Sequence, residues 1–161
     1  MPQTHDERLS RAQLSVEGLS IGDAFGESCF EADPVFERRV RRHDLPEGAW
    51  QYTDDTVMAL GILEVLGEHG TIDRERLAEV FAHRWSEEPW RGYGPGARRI
   101  LSHVAEGGDW REASGGAFDG QGSFGNGAAM RAAPLGAYFA EDLDEVAEQA
   151  EASARITHSH P

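Results

Sequence analysis

Basic side chains are scarce in this 161-residue chain: 15 against 29 acidic ones, a formal charge of −14 and a pI near 4.8. Nucleic-acid backbones are bound without sequence preference through clustered Lys and Arg, so this balance argues against such a partner. It leaves room for a small anion held by local backbone dipoles. Cysteine is almost missing as well. Cys29 stands alone, which excludes an internal disulfide and supplies no cysteine cluster for zinc. No apolar run approaches the ~20 residues of a membrane span, so no membrane partner is expected, and the N-terminal MPQTHDERLSRAQL lacks an apolar signal core. That pattern predicts a soluble, cytoplasmic protein. Strand-like alternation is nearly absent, which removes a sheet from the expected architecture. With 39% hydrophobic residues and a length able to bury about 70% of the unfolded surface, one domain over residues 1–161 is expected.

What recurs is the helical period. Leu9, Ala12, Val16, Leu19 and Ala24 trace one face of a helix over roughly residues 6–28. A loop with Pro34 and Pro46 is expected next, carrying Arg38, Arg39, Arg41 and Arg42. Thr53 opens a helix whose Val57, Leu60, Ile62, Leu63, Val65 and Leu66 are apolar almost all round, the pattern of a central buried helix, ending at His69–Gly70. Asp73 caps a third, with the stripe Leu77, Val80, Phe81, Arg84 and Trp85. After the loop Arg91–Gly96 comes a fourth helix using Ala97, Ile100, Leu101 and Val104. Six glycines fall within Gly115–Gly127, with Asn126 suited to a left-handed position between two of them. A helix is expected from about Ala128, and a last one from Glu141 to Ile156 through Leu143, Val146, Ala147 and Ala150. The fold class is all-α, a single orthogonal multi-helical domain. The chain stops abruptly after Thr157-His-Ser-His-Pro161, without a tapering polar tail, and is expected to continue beyond it.

Four groups of residues could carry chemistry. Thr53, Asp54 and Asp55 place one hydroxyl and two carboxylates at a helix start. Hard divalent cations such as Mg²⁺ take oxygen ligands of this kind. Consecutive residues fan about 100° apart, so they would have to converge beyond the helix end. The same residues also suit plain capping, Thr as N-cap and acids against the macrodipole. Gly120-Gln-Gly-Ser-Phe-Gly-Asn-Gly-Ala-Ala-Met-Arg131 runs glycine-rich backbone into a helix, which suits a phosphate or diphosphate, or is a flexible surface loop. Asp23 and Glu27 share one helix face, where like charges call for water or a cation. His158 and His160 could bind zinc or donate to phosphate, or do neither. Trp50, Trp85, Trp90 and Trp110 suit core or rim packing, and Tyr93 could stack on a base.

Taken in order, Gly22-Asp-Ala-Phe-Gly26, Thr53-Asp-Asp-Thr56, Arg91-Gly-Tyr-Gly94, Gly122-Ser-Phe-Gly-Asn-Gly-Ala-Ala-Met-Arg131 and Thr157-His158 resemble the ADP-ribosylglycohydrolase family over almost the whole chain. That family includes the ADP-ribosyl-acceptor hydrolases and the dinitrogenase reductase activating glycohydrolase. The resemblance implies an all-α fold around a binuclear Mg²⁺ or Mn²⁺ centre. It also implies hydrolysis of the bond between ADP-ribose and its acceptor. Thr53, Asp54 and Asp55 match its first metal-ligand triplet, and Gly122, Ser123, Phe124, Gly125, Asn126 and Gly127 its diphosphate and ribose loop. Tyr93 and Gly94 match a substrate-lining loop, and His158 a histidine near the phosphates. Phe30 stands where many members carry a glutamate, so Glu27, Glu31 and Asp55 are the candidate catalytic carboxylates. The family's second metal motif, Asp-x-Asp-Thr, is not present in these 161 residues. The resemblance therefore covers an N-terminal portion, expected to have little activity by itself. A non-catalytic ADP-ribose or nucleotide-binding module is the alternative.

Overall fold

The computed structural model describes residues 3–30 and 33–160. Among these there are eight α-helices and one 3₁₀ turn, and no strand. Helix α1 (His5–Glu27) begins at a capping box in which Thr4 Oγ1 accepts from Glu7 N and Glu7 Oε2 accepts from Thr4 N. Two of the exposed amides of the first turn are thereby satisfied. It buries Ala12, Val16 and Ala24 and packs on α3 (Asp54–His69) and α7 (Ala133–Tyr138).

Helix α3 is the centre of the molecule. Val57, Met58, Ile62, Val65 and Leu66 are each at most 2% exposed, and truncating one such side chain to alanine costs about 2–5 kcal/mol. Thr53 caps its start, and Gly70, left-handed at φ 68°, stops it. Against it lies α4 (Arg74–Glu87), capped by Asp73, with Leu77, Val80 and Phe81 buried. Helix α5 (Pro95–Ala105) starts at Gly94 with proline in its first turn and packs on α4 and on α6 (Trp110–Gly115). The glycine-rich loop then runs to the 3₁₀ turn Asn126–Ala128. Helix α8 (Leu143–Ala154), capped by Asp142, closes the fold against α7. No helix among the described residues is long and apolar enough to cross a membrane.

Four expectations are corrected. The segment read as a loop after α1 contains α2 (Asp33–Arg42); Pro34 sits in its first turn, where a missing N–H is harmless. No helix starts at Ala128: one 3₁₀ turn comes first, and α7 begins only at Ala133. Asn126 is not left-handed; Phe118, Asp119, Gly120 and Gly122 take the positive φ angles of that loop. In α8, Leu143 is 79% exposed, Ala147 is exposed too, and the buried face is Gln149, Ala152 and Ser153.

Candidate functional site

The start of α3 divides two concavities. Asp54 lines a cavity of about 280 Å³ together with Gly94, Ser123, Gly125, Asn126, Gly127, Arg131 and His158. Thr53 and Asp55 line an open cleft on the other side, with Asp23, Glu27 and Phe30. The 100° step between neighbouring helical residues aims Asp54 and Asp55 into different spaces.

Asp23 turns out to belong to α3. Its carboxylate accepts from Thr53 N at 2.8 Å, Thr53 Oγ1 at 2.7 Å, Thr56 Oγ1 at 2.6 Å and Thr56 N at 3.3 Å. It therefore satisfies free N–H groups of the first turn from another helix. The expected repulsion with Glu27 is resolved in this way: Asp23 turns to α3, while Glu27 stays exposed in the cleft. Glu31 lies outside the described residues.

Burial, the neighbouring Asp55 and then Asp23 push the Asp54 carboxyl up to about 6. Burial and Asp23 also raise Asp55. Asp54 N donates to Arg91 O at 2.7 Å, which ties the Arg91–Gly94 loop to the helix start. Gly92, at φ 95°, lets that loop pass close: a Cβ there would meet Asp54 Oδ1 at 3.4 Å. Thr53 does cap α3, its Oγ1 accepting from Asp55 N at 3.4 Å. The set fits part of a hard divalent site, because two carboxylates raised by burial and by acidic neighbours would gain from a nearby cation. Among the described residues, no group of three or more His, Cys, Asp or Glu is placed to hold a metal. Further ligands would have to come from elsewhere.

Across the cavity, Gly127 packs against His158: a Cβ there would come within 2.6 Å of Cε1. Gly122, at φ 76°, lies under the Ser159 and His160 backbone with no room for a side chain. The amides of Phe124, Asn126 and Gly127 have no acceptor among the described residues, which leaves donors free for an anion. Arg131, fully buried at 0% exposure, stacks 4.7 Å from the Phe81 ring. Its hydrogen-bond acceptors among the described residues are neutral, Ser153 O at 2.8 Å and Thr157 Oγ1 at 3.0 Å the nearest, and the Asp54 carboxylate supports its charge through space. Burial pulls its pKa down to about 9, which still leaves it charged at neutral pH. Burial, and then Arg131, lower His158 to about 4, so its ring is neutral.

Three expected substrate contacts lie off the cavity. Tyr93 is 2% exposed and part of the core, so its ring offers no face to a base. Its buried hydroxyl has no partner among the described residues. Phe124, 75% exposed, packs on His160 and Phe118, and Gly122 supports the backbone of Ser159 and His160 instead of lining the cavity. Arg131 and Thr157 are residues that sequence reasoning did not single out as functional. Their only signal was a place inside matched motifs. Trp110 is buried and Trp90 is 68% exposed.

Segments far apart in sequence thus meet around one cavity in an all-α frame, and the chain belongs to the ADP-ribosylglycohydrolase family, whose model matches residues 4–161. It is 34% identical over 160 residues to the ADP-ribosylhydrolase ARH3 of Danio rerio, covering 94% of this chain and 43% of that protein. Against ARH3 of Homo sapiens it is 33% identical over 168 residues, covering 94% and 45%. The ADP-ribosyl-[dinitrogen reductase] glycohydrolase of Rhodospirillum rubrum is 29% identical over 168 residues, covering 99% and 54%. The chain spans about half the length of the curated relatives it matches.

Proposed function

We propose that this chain supplies the ADP-ribose-binding part of a metal-dependent hydrolase that cleaves the glycosidic bond between ADP-ribose and an acceptor. The observation that carries the reading is the cavity of about 280 Å³, where Asp54 faces the glycine-rich loop and His158. Free amides of Asn126 and Gly127, with the His158 ring, would bind the diphosphate. Remote binding of that kind helps position the anomeric carbon. Thr53, Asp54 and Asp55 would provide one half of a binuclear ligand set. Bound Mg²⁺ or Mn²⁺ would orient ribose hydroxyls and a water. Glu27, beside Asp55 in the open cleft, would donate a proton to the departing acceptor atom as oxocarbenium character develops at the anomeric carbon. A cytoplasmic location accords with this reading.

A second reading is favoured by the incomplete ligand set: a non-catalytic ADP-ribose-binding module. Calorimetry with ADP-ribose, with and without Mg²⁺, separates the two. The hydrolase reading expects Mg²⁺ to tighten binding and the double variant D54A/D55A to remove that gain. This 161-residue chain alone is expected to release little ADP-ribose from a modified acceptor. Tight binding indifferent to Mg²⁺ and to D54A/D55A would favour the module. Release unaffected by EDTA would overturn the metal-dependent reading.

A further inference from the structure

Thr157 is 1% exposed, and its hydroxyl has two neighbours: Arg131 Nη1 at 3.0 Å and His158 Nδ1 at 2.7 Å. A guanidinium only donates, so Thr157 Oγ1 must accept from Arg131. Among the described residues the one hydroxyl hydrogen then has a single acceptor within reach, His158 Nδ1. Were Nδ1 protonated, Thr157 would face two donors and its own hydrogen would be buried without an acceptor, which is unfavourable. A charged neighbour that polarises the hydroxyl strengthens the second bond of such a chain.

The other ring nitrogen is placed for use. His158 N donates to Ala154 O at 2.8 Å, which anchors the residue just past α8. Nε2 lies at the edge of the loop, 3.1 Å and 3.6 Å from where Cβ atoms on Gly127 and Gly125 would stand. It has no acceptor among the described residues, and His158 lines the cavity.

We propose that Thr157, polarised by Arg131, is a positioning residue that locks His158 as the neutral tautomer protonated on Nε2, giving the cavity a fixed, uncharged donor for an anionic oxygen. That this oxygen belongs to a diphosphate rests on the function proposed above; the tautomer does not. The lock serves recognition in two ways. Fixing the proton on Nε2 ensures that the ring always donates into the cavity. Keeping the ring neutral avoids a second buried positive charge beside Arg131.

The test is a long-range ¹H–¹⁵N correlation spectrum of the ¹⁵N-labelled chain at neutral pH, with His158 assigned by its loss in H158N. Nδ1 should appear as the unprotonated nitrogen and Nε2 as the protonated one. T157V, which keeps shape but has no hydroxyl, should show a mixed or inverted pattern, and T157S should restore the original. ADP-ribose binding should weaken about tenfold in T157V and stay within about twofold in T157S. A protonated Nδ1 in the parent chain, or a T157V spectrum identical to it, overturns the lock. The parent spectrum decides the tautomer even if T157V does not fold. If the tautomer is as expected but the parent chain does not bind ADP-ribose, the lock stands and the diphosphate assignment falls.

Discussion

Asp23, four residues before the end of α1, caps α3 by accepting from both the amide and the hydroxyl of Thr53, and from the same two groups of Thr56. One carboxylate thus fixes the angle at which the acidic pair leaves the core. D23A would strand two amides and the Thr56 hydroxyl in a half-buried place, while the Thr53 hydroxyl keeps Asp55 Oδ2 at 3.2 Å. Bonds to a charged acceptor contribute about 1.5–3 kcal/mol each but do not add, and relief of repulsion on Asp54 and Asp55 offsets part of the loss. Urea unfolding should show D23A destabilised by about 1–3 kcal/mol. D23N, which keeps an acceptor oxygen without the charge, should lose less than D23A. Equal stability of D23A and the parent chain would refute the capping role.

Asp54 and His158 bias stability in opposite directions over nearly the same pH range. Asp54, raised to about 6 from 3.8, binds protons more tightly folded than unfolded. Its contribution is full below pH 3.8 and is lost as pH rises through about 6. His158, lowered to about 4 from 6.5, binds protons less tightly when folded, so stability is lost as pH falls from 6.5 towards 4. The two slopes largely cancel in the parent chain. Unfolding followed at several pH values should show D54N losing stability as pH drops from 6.5 to 4, and H158Q gaining it as pH drops from 6 to 4. Matching slopes in the two variants would contradict the assignment.

The sequence disclosed the helices whose own residues carry the burial pattern, and failed where partners are distant. The α1 face, the all-round apolar α3 and the Asp73-capped α4 are legible because hydrophobic period and cap lie within a single segment. Helix α2 was missed because Pro34 and the arginine run read as loop, and its apolar Val35, Phe36 and Val40 stay exposed, so no core contact marks it. The α8 face was misplaced because Gln149 and Ser153 are buried by long-range bonds. Gln149 Oε1 accepts from Ile72 N at 2.7 Å, and Ser153 O accepts from Arg131 at 2.8 Å. The meeting of Thr53–Asp55, the glycine-rich loop and His158 could be anticipated only from motif order. The 30-residue step from Asp23 to Thr53 leaves no periodic trace. Tyr93 shows the converse, a motif residue whose ring the fold spends on packing.

A cation at the acidic pair should stabilise the folded chain only where the pair is ionised. At ten times the dissociation constant a ligand adds about 1.4 kcal/mol, or about 3–6 °C for a chain of this size. Mg²⁺ or Mn²⁺ should therefore raise Tm at pH 7.5 but not at pH 5, where a carboxyl near 6 is mostly protonated. D54N and D55N should each reduce the rise. An equal rise at both pH values, or one that survives D54A/D55A, would place the ion elsewhere.

Gly127 offers the sharpest separation of binding from folding. Its hypothetical Cβ would stand 2.6 Å from His158 Cε1 and 3.1 Å from Nε2, so G127A must push the ring away from the loop. The 3₁₀ turn that holds Gly127 requires no positive φ at that residue, so alanine meets no backbone penalty of its own, and the half-buried ring can yield. Thermal unfolding should show a loss of about 1 kcal/mol or less, whereas calorimetry should show ADP-ribose binding weakened at least tenfold. G122A is the contrasting variant. Its Cβ would strike the Ser159 and His160 backbone at φ 76°, where both strain and collision resist substitution. It should therefore lose stability and binding together. If G127A instead binds ADP-ribose as well as the parent chain does, the His158 edge of the cavity is not where the ligand sits.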